Sequence, residues 1–441
     1  MMAIDQNAAS IRLSIAPSDA LVDVPRRIRV EGAAPFARVM LRTHTCRAGG
    51  VIWRSEACFQ ADEQGVVDLD ACAPLSGSYE GVSGMGLIWS QCPERDGTHE
   101  VYPDDLLASL ATHIEADVAG QAASGVLIQR FALPGVVREE VREEGLVGTL
   151  FRPATPGPHP AVMILNGSGG GINEPRAALY ASHGYIAFAL AYFKAPGLSD
   201  YISNTPLEYF KTGLDWIRKT QQPKNGFVAI NGQSRGGELV LLLSTVYPDD
   251  VSAVVAYVPG ALVHGGQNAC DPSVGRNGPA WLLEGKPLVH VWDDNRTASW
   301  ASFDEGGRHA VALQTALQDA DAVARARIPV EKSRAPIILL SGTDDAAWPS
   351  SLYSKMVVDT LQVHKHPYDV QWVDTLDGGH AIVFPYIPTT QITHRHPVTG
   401  RMFTGGGAPA PNAQSNEHSW EQIKDFLARA VIDHAQRLSP S

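Results

Sequence analysis

The chain has 441 residues, of which 44% are hydrophobic and 19% charged, and its formal net charge is −12. That acidity, with no basic run to offset it, argues against a nucleic-acid binder, and the composition carries no signature of disorder. No window approaches the ~18 apolar residues of a membrane span. The five cysteines, Cys46, Cys58, Cys72, Cys92 and Cys270, show neither a disulfide framework nor zinc spacing. The start, Met1-Met2-Ala3-Ile4-Asp5-Gln6-Asn7, lacks a basic n-region and an apolar h-region. The end, Leu438-Ser439-Pro440-Ser441, is no peroxisomal address, so the expectation is a cytoplasmic protein.

In chain order, residues 11–118 have the texture of β structure. Residues 27–30, 38–44, 51–57 and 65–69 alternate in polarity between turn formers such as Glu31-Gly32, Gly49-Gly50 and Ser76-Gly77. That spacing predicts an antiparallel sandwich of about seven strands. The apolar run 84–90, with Trp89, reads as a core strand. A further strand at 125–131 and a hairpin at 136–143 and 145–152 lead to a Pro/Gly-rich stretch at 153–160. From residue 161 apolar strands alternate with amphipathic helices, the pattern of a mostly parallel sheet covered on both faces. Strands are expected at 161–165, 185–192, 227–230, 251–258, 337–341 and 368–373. Helices are expected at 174–183, closed by Gly184, at 350–363 and at 417–436. Thr205-Pro206-Leu207-Glu208 reads as N-cap, N1 proline and N3 glutamate of a helix with Leu207, Phe210, Leu214 and Ile217 on one face. Residues 259–335, with Trp281, Trp292 and Trp300, show little periodicity and suggest a cap or a long excursion. Residues 389–415 read as a loop. The division is a β-sandwich over 1–135 and a mostly parallel α/β domain over 136–441.

One stretch organises the rest. Gly232-Gln233-Ser234-Arg235-Gly236 lies between a buried strand and an apolar helix expected to begin after Gly237. This G-x-S-x-G pattern in that context predicts a nucleophile elbow, with flanking glycines that let strand and helix approach. A serine hydroxyl needs an imidazole to take its proton and a carboxylate to fix that imidazole's tautomer. In this fold class acid and histidine follow the serine, each beyond a late strand. Asp345, with Asp344 as the alternative, and His380 after Gly378-Gly379 stand at those places. Gly167, Ser168 and Gly169, after the first parallel strand, and the backbone of Arg235 are the expected oxyanion donors. The glycine run lacks the features of a phosphate cradle. His364-Lys365-His366 and His394-Arg395-His396 have no carboxylate or thiol at ligand spacing, so neither metal nor cofactor is expected.

These residues carry a family likeness over nearly the whole chain. Residues 75–81 and 85–89, Gly148-Thr149-Leu150-Phe151-Arg152-Pro153, Gly167-Ser168-Gly169-Gly170-Gly171, 190–193, 207–210, 342–348 and Gly379-His380 appear in one order. In that order the chain resembles the acyl-CoA thioesterases of the family that includes bile acid-CoA:amino acid N-acyltransferase. The resemblance implies an immunoglobulin-like first domain, an α/β-hydrolase second domain, the triad Ser234, Asp345 and His380, and a coenzyme A- or carrier-linked acyl thioester as substrate. It favours the second aspartate of the pair. Three departures stand out: Arg235 where the thioesterases usually have lysine, a longer segment between elbow and acid, and a different loop after His380. The N-acyltransferase uses cysteine as nucleophile, so Ser234 tilts the expectation toward hydrolysis. Acyl transfer to an amine or alcohol, oxygen-ester or lactone hydrolysis, and a catalytically silent binding protein are the other readings. Chain length of the acyl group and oligomeric state are not legible.

Overall fold

The computed structural model describes residues 10–438, so the segments read for targeting at the two ends lie outside the described residues. The chain divides into two compact units, residues 10–132 with 384–391, and residues 133–383 with 392–438. The segment 384–391, which the sequence division assigns to the second domain, therefore belongs to the first unit.

The first unit is all-β apart from single helical turns. One sheet orders Asp19–Leu21, Gln121–Arg130, Ser109–Val118, Arg38–Arg47, Val51–Gln60 and Ser76–Gly77, with Cys92–Pro93 also on Val51–Gln60. The other joins Arg12–Ala16, Arg27–Glu31 and Val67–Asp68. Pairing is antiparallel except between Asp19–Leu21 and Gln121–Arg130. Leu13 and Ile15 of the smaller sheet lie over Gly125 of the larger, where a methyl group would come within 3.3 and 3.0 Å of them. Along Arg38–Arg47 every second side chain is buried, as the period of a half-buried strand requires. Two of those inward residues are threonines, and they are satisfied by one another's neighbours. Thr43 Oγ1 lies 2.7 Å from Ser55 Oγ, Thr45 Oγ1 lies 2.6 Å from Thr112 Oγ1, and Gln91 Nε2 donates to both threonines.

The run 84–90 is not a strand. Gly86–Trp89 forms a buried helical turn pressed against Tyr79, whose ring would lie 2.2 Å from a methyl group at Gly86. The Leu87 carbonyl accepts from Ser55 Oγ instead of from a ladder partner. A short apolar run does not distinguish a buried strand from a buried helical turn, and the tertiary contact decides.

In the second unit eight strands form one sheet: β1 (Val137–Val141), β2 (Val147–Arg152), β3 (Ala161–Leu165), β4 (Ile186–Ala191), β5 (Val228–Gln233), β6 (Ala253–Tyr257), β7 (Ile337–Gly342) and β8 (Val370–Thr375). Their spatial order is 1-2-4-3-5-6-7-8. β3 to β8 run parallel, and β2 is antiparallel to its neighbours β1 and β4. Crossovers are made by α1 (Glu174–Ser182), α2 (Glu208–Gln221), α3 (Arg235–Val246) and α4 (Ser350–Val363), and α5 (Pro409–Leu438) closes the chain. Every residue of β3, β4, β6 and β7 is buried, which is why these strands read as unbroken apolar runs. Phe210, Leu214 and Ile217 are buried along α2. The expected capping box is not formed. Thr205–Pro206 pairs as a short strand with Trp281–Leu282, and Glu208 Oε1 accepts from Glu284 N.

Residues 259–335, expected as a cap or a long excursion, are built into the core. They carry the helices Ala301–Asp304, His309–Ala316 and Ala320–Ala326, and their Trp281, Trp292 and Trp300 are buried members of the same hydrophobic cluster as the sheet. The predicted loop 389–415 also ends early, because α5 begins at Pro409. No helix of the described residues is long and apolar enough to cross a membrane.

Arg26 is a buried cation of the first unit. It donates to the carbonyls of Ala20, Leu21 and Ile128 at 2.9, 3.1 and 3.0 Å, and to that of Val24. Replacing it with methionine removes the charge-assisted donors and strands those carbonyls. Arg26→Met is expected to destabilise the unit by about 3 kcal/mol. Urea denaturation of the full chain measures this, and an unchanged midpoint contradicts it.

Candidate active site

β5 ends at Gln233, α3 begins at Arg235, and Ser234 between them holds φ +60° and ψ −117°. A non-glycine residue adopts that conformation only where its surroundings enforce it. Here they are backbone. A methyl group at Gly232 would lie 1.9 Å from the Gly236 carbonyl oxygen. One at Gly236 would lie 2.5 and 2.6 Å from the carbonyl oxygens of Leu165 and Asn166. Gly237 is as tightly held, against the Tyr257 carbonyl oxygen at 2.5 Å, so it lies inside the helix's first turn and not before it. Ser234 N donates to Tyr257 O at 2.9 Å, which leaves its hydroxyl on the outside of the bend.

Asp345 follows β7 and His380 follows β8. His380 Nε2 lies 2.8 Å from Ser234 Oγ, and its Nδ1 lies 2.8 Å from Asp345 Oδ2. The carboxylate is an acceptor only, so Nδ1 carries the proton and Nε2 faces the hydroxyl as acceptor. Asp345 is almost fully enclosed, and its second oxygen accepts from Ala347 N and Trp348 N at 2.9 and 3.1 Å. Asp344 turns the other way. It pairs with Arg308 Nη1 at 2.7 Å and accepts from Gly407 N, and the guanidinium holds its carboxyl below the usual range.

Glycines lock the two loops together. A methyl group at Gly342 would lie 2.2 Å from Gly378 O, and one at Gly379 would lie 2.2 Å from Gly406 O. His380 N donates to Gly405 O at 2.8 Å. The buried amides of Asn412 and Asn416, one turn apart on α5, accept from Gly379 N at 2.7 Å and Val383 N at 2.8 Å. Sequence reading missed both residues. Asn, Ser and Pro over 408–416 suggest a loop, yet here they form the helix face that supports the His380 loop.

Of the residues expected to face the oxyanion, Gly167 sits against Ser234, where a methyl group would come within 3.2 Å of its Cβ. The Gly167 N–H is already donated to Asn166 Oδ1 at 3.0 Å. Ser168 lines the cleft beside Ser234, and its hydroxyl lies 3.0 Å from Nε2 of His396. Burial pushes the His396 imidazole down to about 4. Gly169 faces Pro397, 3.4 Å from where its methyl group would be.

The Arg235 side chain is buried rather than offered to a ligand. It donates to Glu238 Oε2 at 2.8 Å and to His264 O at 3.2 Å. Glu238 also accepts from His264 N, His264 Nδ1 and Trp281 Nε1. Burial works to raise the Glu238 carboxyl, but Arg235, His264 and Trp281 together hold it below 4.5. Trp281 and His264 come from the long segment 259–335, so this buried cluster ties that segment to the helix behind Ser234.

Two family models match the chain. "BAAT / Acyl-CoA thioester hydrolase C terminal" spans residues 205–433 and "Acyl-CoA thioester hydrolase/BAAT N-terminal region" spans residues 23–143. The chain belongs to this family. It is 31% identical over 425 residues to acyl-coenzyme A thioesterase 1 of Homo sapiens, covering 93% of this chain and 94% of that protein. It is 32% identical over 428 residues to the mitochondrial acyl-coenzyme A thioesterase 2 of Rattus norvegicus, covering 95% and 89%. An esterase of Pyrobaculum calidifontis is similar in structure at 14% identity and a TM-score of 0.40, covering 70% of this chain and 87% of that one. This family member is an enzyme with the α/β-hydrolase fold.

Removing the Glu238 charge leaves Arg235 buried without its partner. Glu238→Gln is expected to destabilise the protein by about 3 kcal/mol at pH 7. Because the folded carboxyl is depressed, that stabilisation is present above pH 4.5 and lost as the pH falls through the lower, folded value. Denaturation midpoints of both proteins across pH check this, and a gap that widens on acidification contradicts it.

Proposed function

We propose that the protein hydrolyses an acyl-CoA or related acyl thioester through a covalent acyl-serine intermediate. The observation that carries the reading is the continuous chain of two 2.8 Å contacts from Asp345 through His380 to Ser234 Oγ. The names of its relatives, acyl-coenzyme A thioesterases, favour a thioester over an oxygen ester.

Ser234 Oγ attacks the thioester carbonyl carbon while its proton passes to His380 Nε2. Asp345 keeps the ring's Nδ1 protonated and stabilises the imidazolium that forms. The carbonyl oxygen, now an alkoxide, takes hydrogen bonds from the N–H of Arg235 at the start of α3 and from the N–H of Ser168. Neither of these groups has an acceptor among the described residues. The C–S bond breaks, and the imidazolium returns its proton to the departing thiolate. Water, deprotonated by the same ring, then attacks the acyl-serine and releases the acid and Ser234. Gly167 acts as a spacer, not a donor, because its own N–H is occupied.

Ser234→Ala is expected to reduce kcat/KM on acyl-CoA thioesters by about 10⁴-fold or more, with the unfolding midpoint unchanged or raised, since alanine keeps the bend. Thiol release followed with a chromogenic thiol reagent measures it. Undiminished turnover in that variant would falsify the mechanism.

A further inference from the structure

After the His380 loop, Thr393–Arg395 and Met402–Thr404 pair as a hairpin, and the chain between them turns at His396. His396 is 3% exposed, and its backbone closes the turn. Its N–H donates to Arg401 O and its carbonyl accepts from Gly400 N, both at 2.8 Å. The next residue, Pro397, is pinned by the Lys194 ammonium, which donates to its carbonyl, and lies against Gly169. Across the hairpin, the Phe403 ring centroid is 6.1 Å from that of His396 and 6.4 Å from that of His380.

The hydrogen bonds of the His396 ring fix its tautomer. Nδ1 accepts from the backbone N–H of Val398 at 3.3 Å and of Thr399 at 3.5 Å. A ring nitrogen that accepts carries no proton, and burial keeps this imidazole neutral, so the proton is on Nε2. Nε2 therefore donates to Ser168 Oγ, 3.0 Å away. The Ser168 hydroxyl keeps its own proton, which has no acceptor among the described residues. With Ser234 and Arg235, Ser168 lines a space of about 20 Å³, roughly the room that one water needs. Gly167, the residue before it, is packed on Ser234, where a methyl group would lie 3.7 Å from Oγ. A space of that size takes a single oxygen atom, and the O–H of Ser168 is on its wall.

We propose that the Ser168 hydroxyl donates a hydrogen bond to the carbonyl oxygen that becomes an alkoxide when Ser234 attacks, with His396 as its positioning residue. This rests on the reading of Ser234 as the nucleophile, and it adds a side-chain donor to the two backbone N–H groups. The direction of the His396 bond is what makes the donor. By giving its proton to Oγ, Nε2 occupies a lone pair of the hydroxyl, polarises the O–H and leaves the hydrogen to point elsewhere. The opposite tautomer would consume that hydrogen. Acylation and deacylation both pass through an alkoxide, so the donor acts on kcat whichever step limits turnover.

The test is steady-state kinetics on saturated acyl-CoA thioesters, read beside urea midpoints. Ser168→Ala is expected to lower kcat by about 100-fold, with KM and the midpoint near the native values. Ser168→Cys, which fills the same space with a weak donor, is expected to lose nearly as much. A kcat within about threefold of native in either variant overturns the proposal, because the side chain then contributes nothing or contributes only volume. A loss confined to KM or matched by a lowered midpoint also overturns it. His396→Phe is expected to lower kcat by about 10-fold in the native background and not at all once Ser168 is alanine. Losses that multiply in the double variant show that His396 does not act through Ser168, and contradict its role. If the native protein turns over no acyl-CoA, the substrate class proposed above falls, and the rate at which a fluorophosphonate labels Ser234 carries the same comparison through its phosphoryl oxygen. Ser168→Ala is then expected to slow labelling by about 10-fold or more, and equal rates overturn the proposal. A native protein that shows neither turnover nor labelling overturns both readings.

Discussion

The second unit depends on a single close approach of backbone to backbone. The end of β5 meets the start of α3 at Gly232 and Gly236, with the carbonyls of Leu165 and Asn166 lying across Gly236. The register of the sheet makes this meeting possible, since Leu165 of β3 stands beside Gly232 of β5 and Gln233 beside Tyr257 of β6. Apart from Gln233 those strands are buried, and they cannot shift by a residue without turning apolar side chains outward. The sheet thus imposes the φ of +60° at Ser234, and the helix begins at the very next residue. A larger residue at either glycine pushes backbone apart, and the hydroxyl leaves its position.

Around that point the fold adds support in two places. Behind the helix, Glu238 gathers Arg235, His264 and Trp281, so a carboxylate, a guanidinium and an indole from distant parts of the sequence are satisfied in one buried cluster. In front of it, the loops after β7 and β8 are joined through Gly342, Gly378, Gly379 and Gly406, and α5 supplies Asn412 and Asn416 to the second loop. The His380 ring is therefore held from the sheet side by Asp345 and from the helix side by backbone fixed to asparagines. A site of this kind is pre-organised, which is where most of the electrostatic stabilisation of a transition state arises.

How much of this was legible varies with the kind of signal. Fully buried parallel strands announce themselves as apolar runs, so β3, β5 and β7 were plain in the sequence. The glycines of the elbow and those before His380 were equally informative, because each marks a place where backbone meets backbone. Less legible were features that depend on distant partners. The run 84–90 is apolar in either a strand or a helical turn, and only its contact with Tyr79 separates the two. Thr205 and Glu208 look like a capping box, but the neighbouring strand at Trp281–Leu282 claims Thr205–Pro206. The first two turns of α5 looked like loop because their polar residues face inward, to bond a backbone 33 residues away in sequence. His396, legible in the sequence only as half of a histidine pair, matters through the Ser168 hydroxyl that it faces.

The central claim is that the acyl group passes through a covalent bond to one serine, and rapid-quench mass spectrometry with an acyl-CoA tests it most directly. The account predicts an adduct of acyl mass, formed within a turnover, that maps by proteolysis to the peptide containing Ser234 and decays as free acid appears. Turnover with no adduct at any time resolved, or an adduct on a different residue, would contradict it.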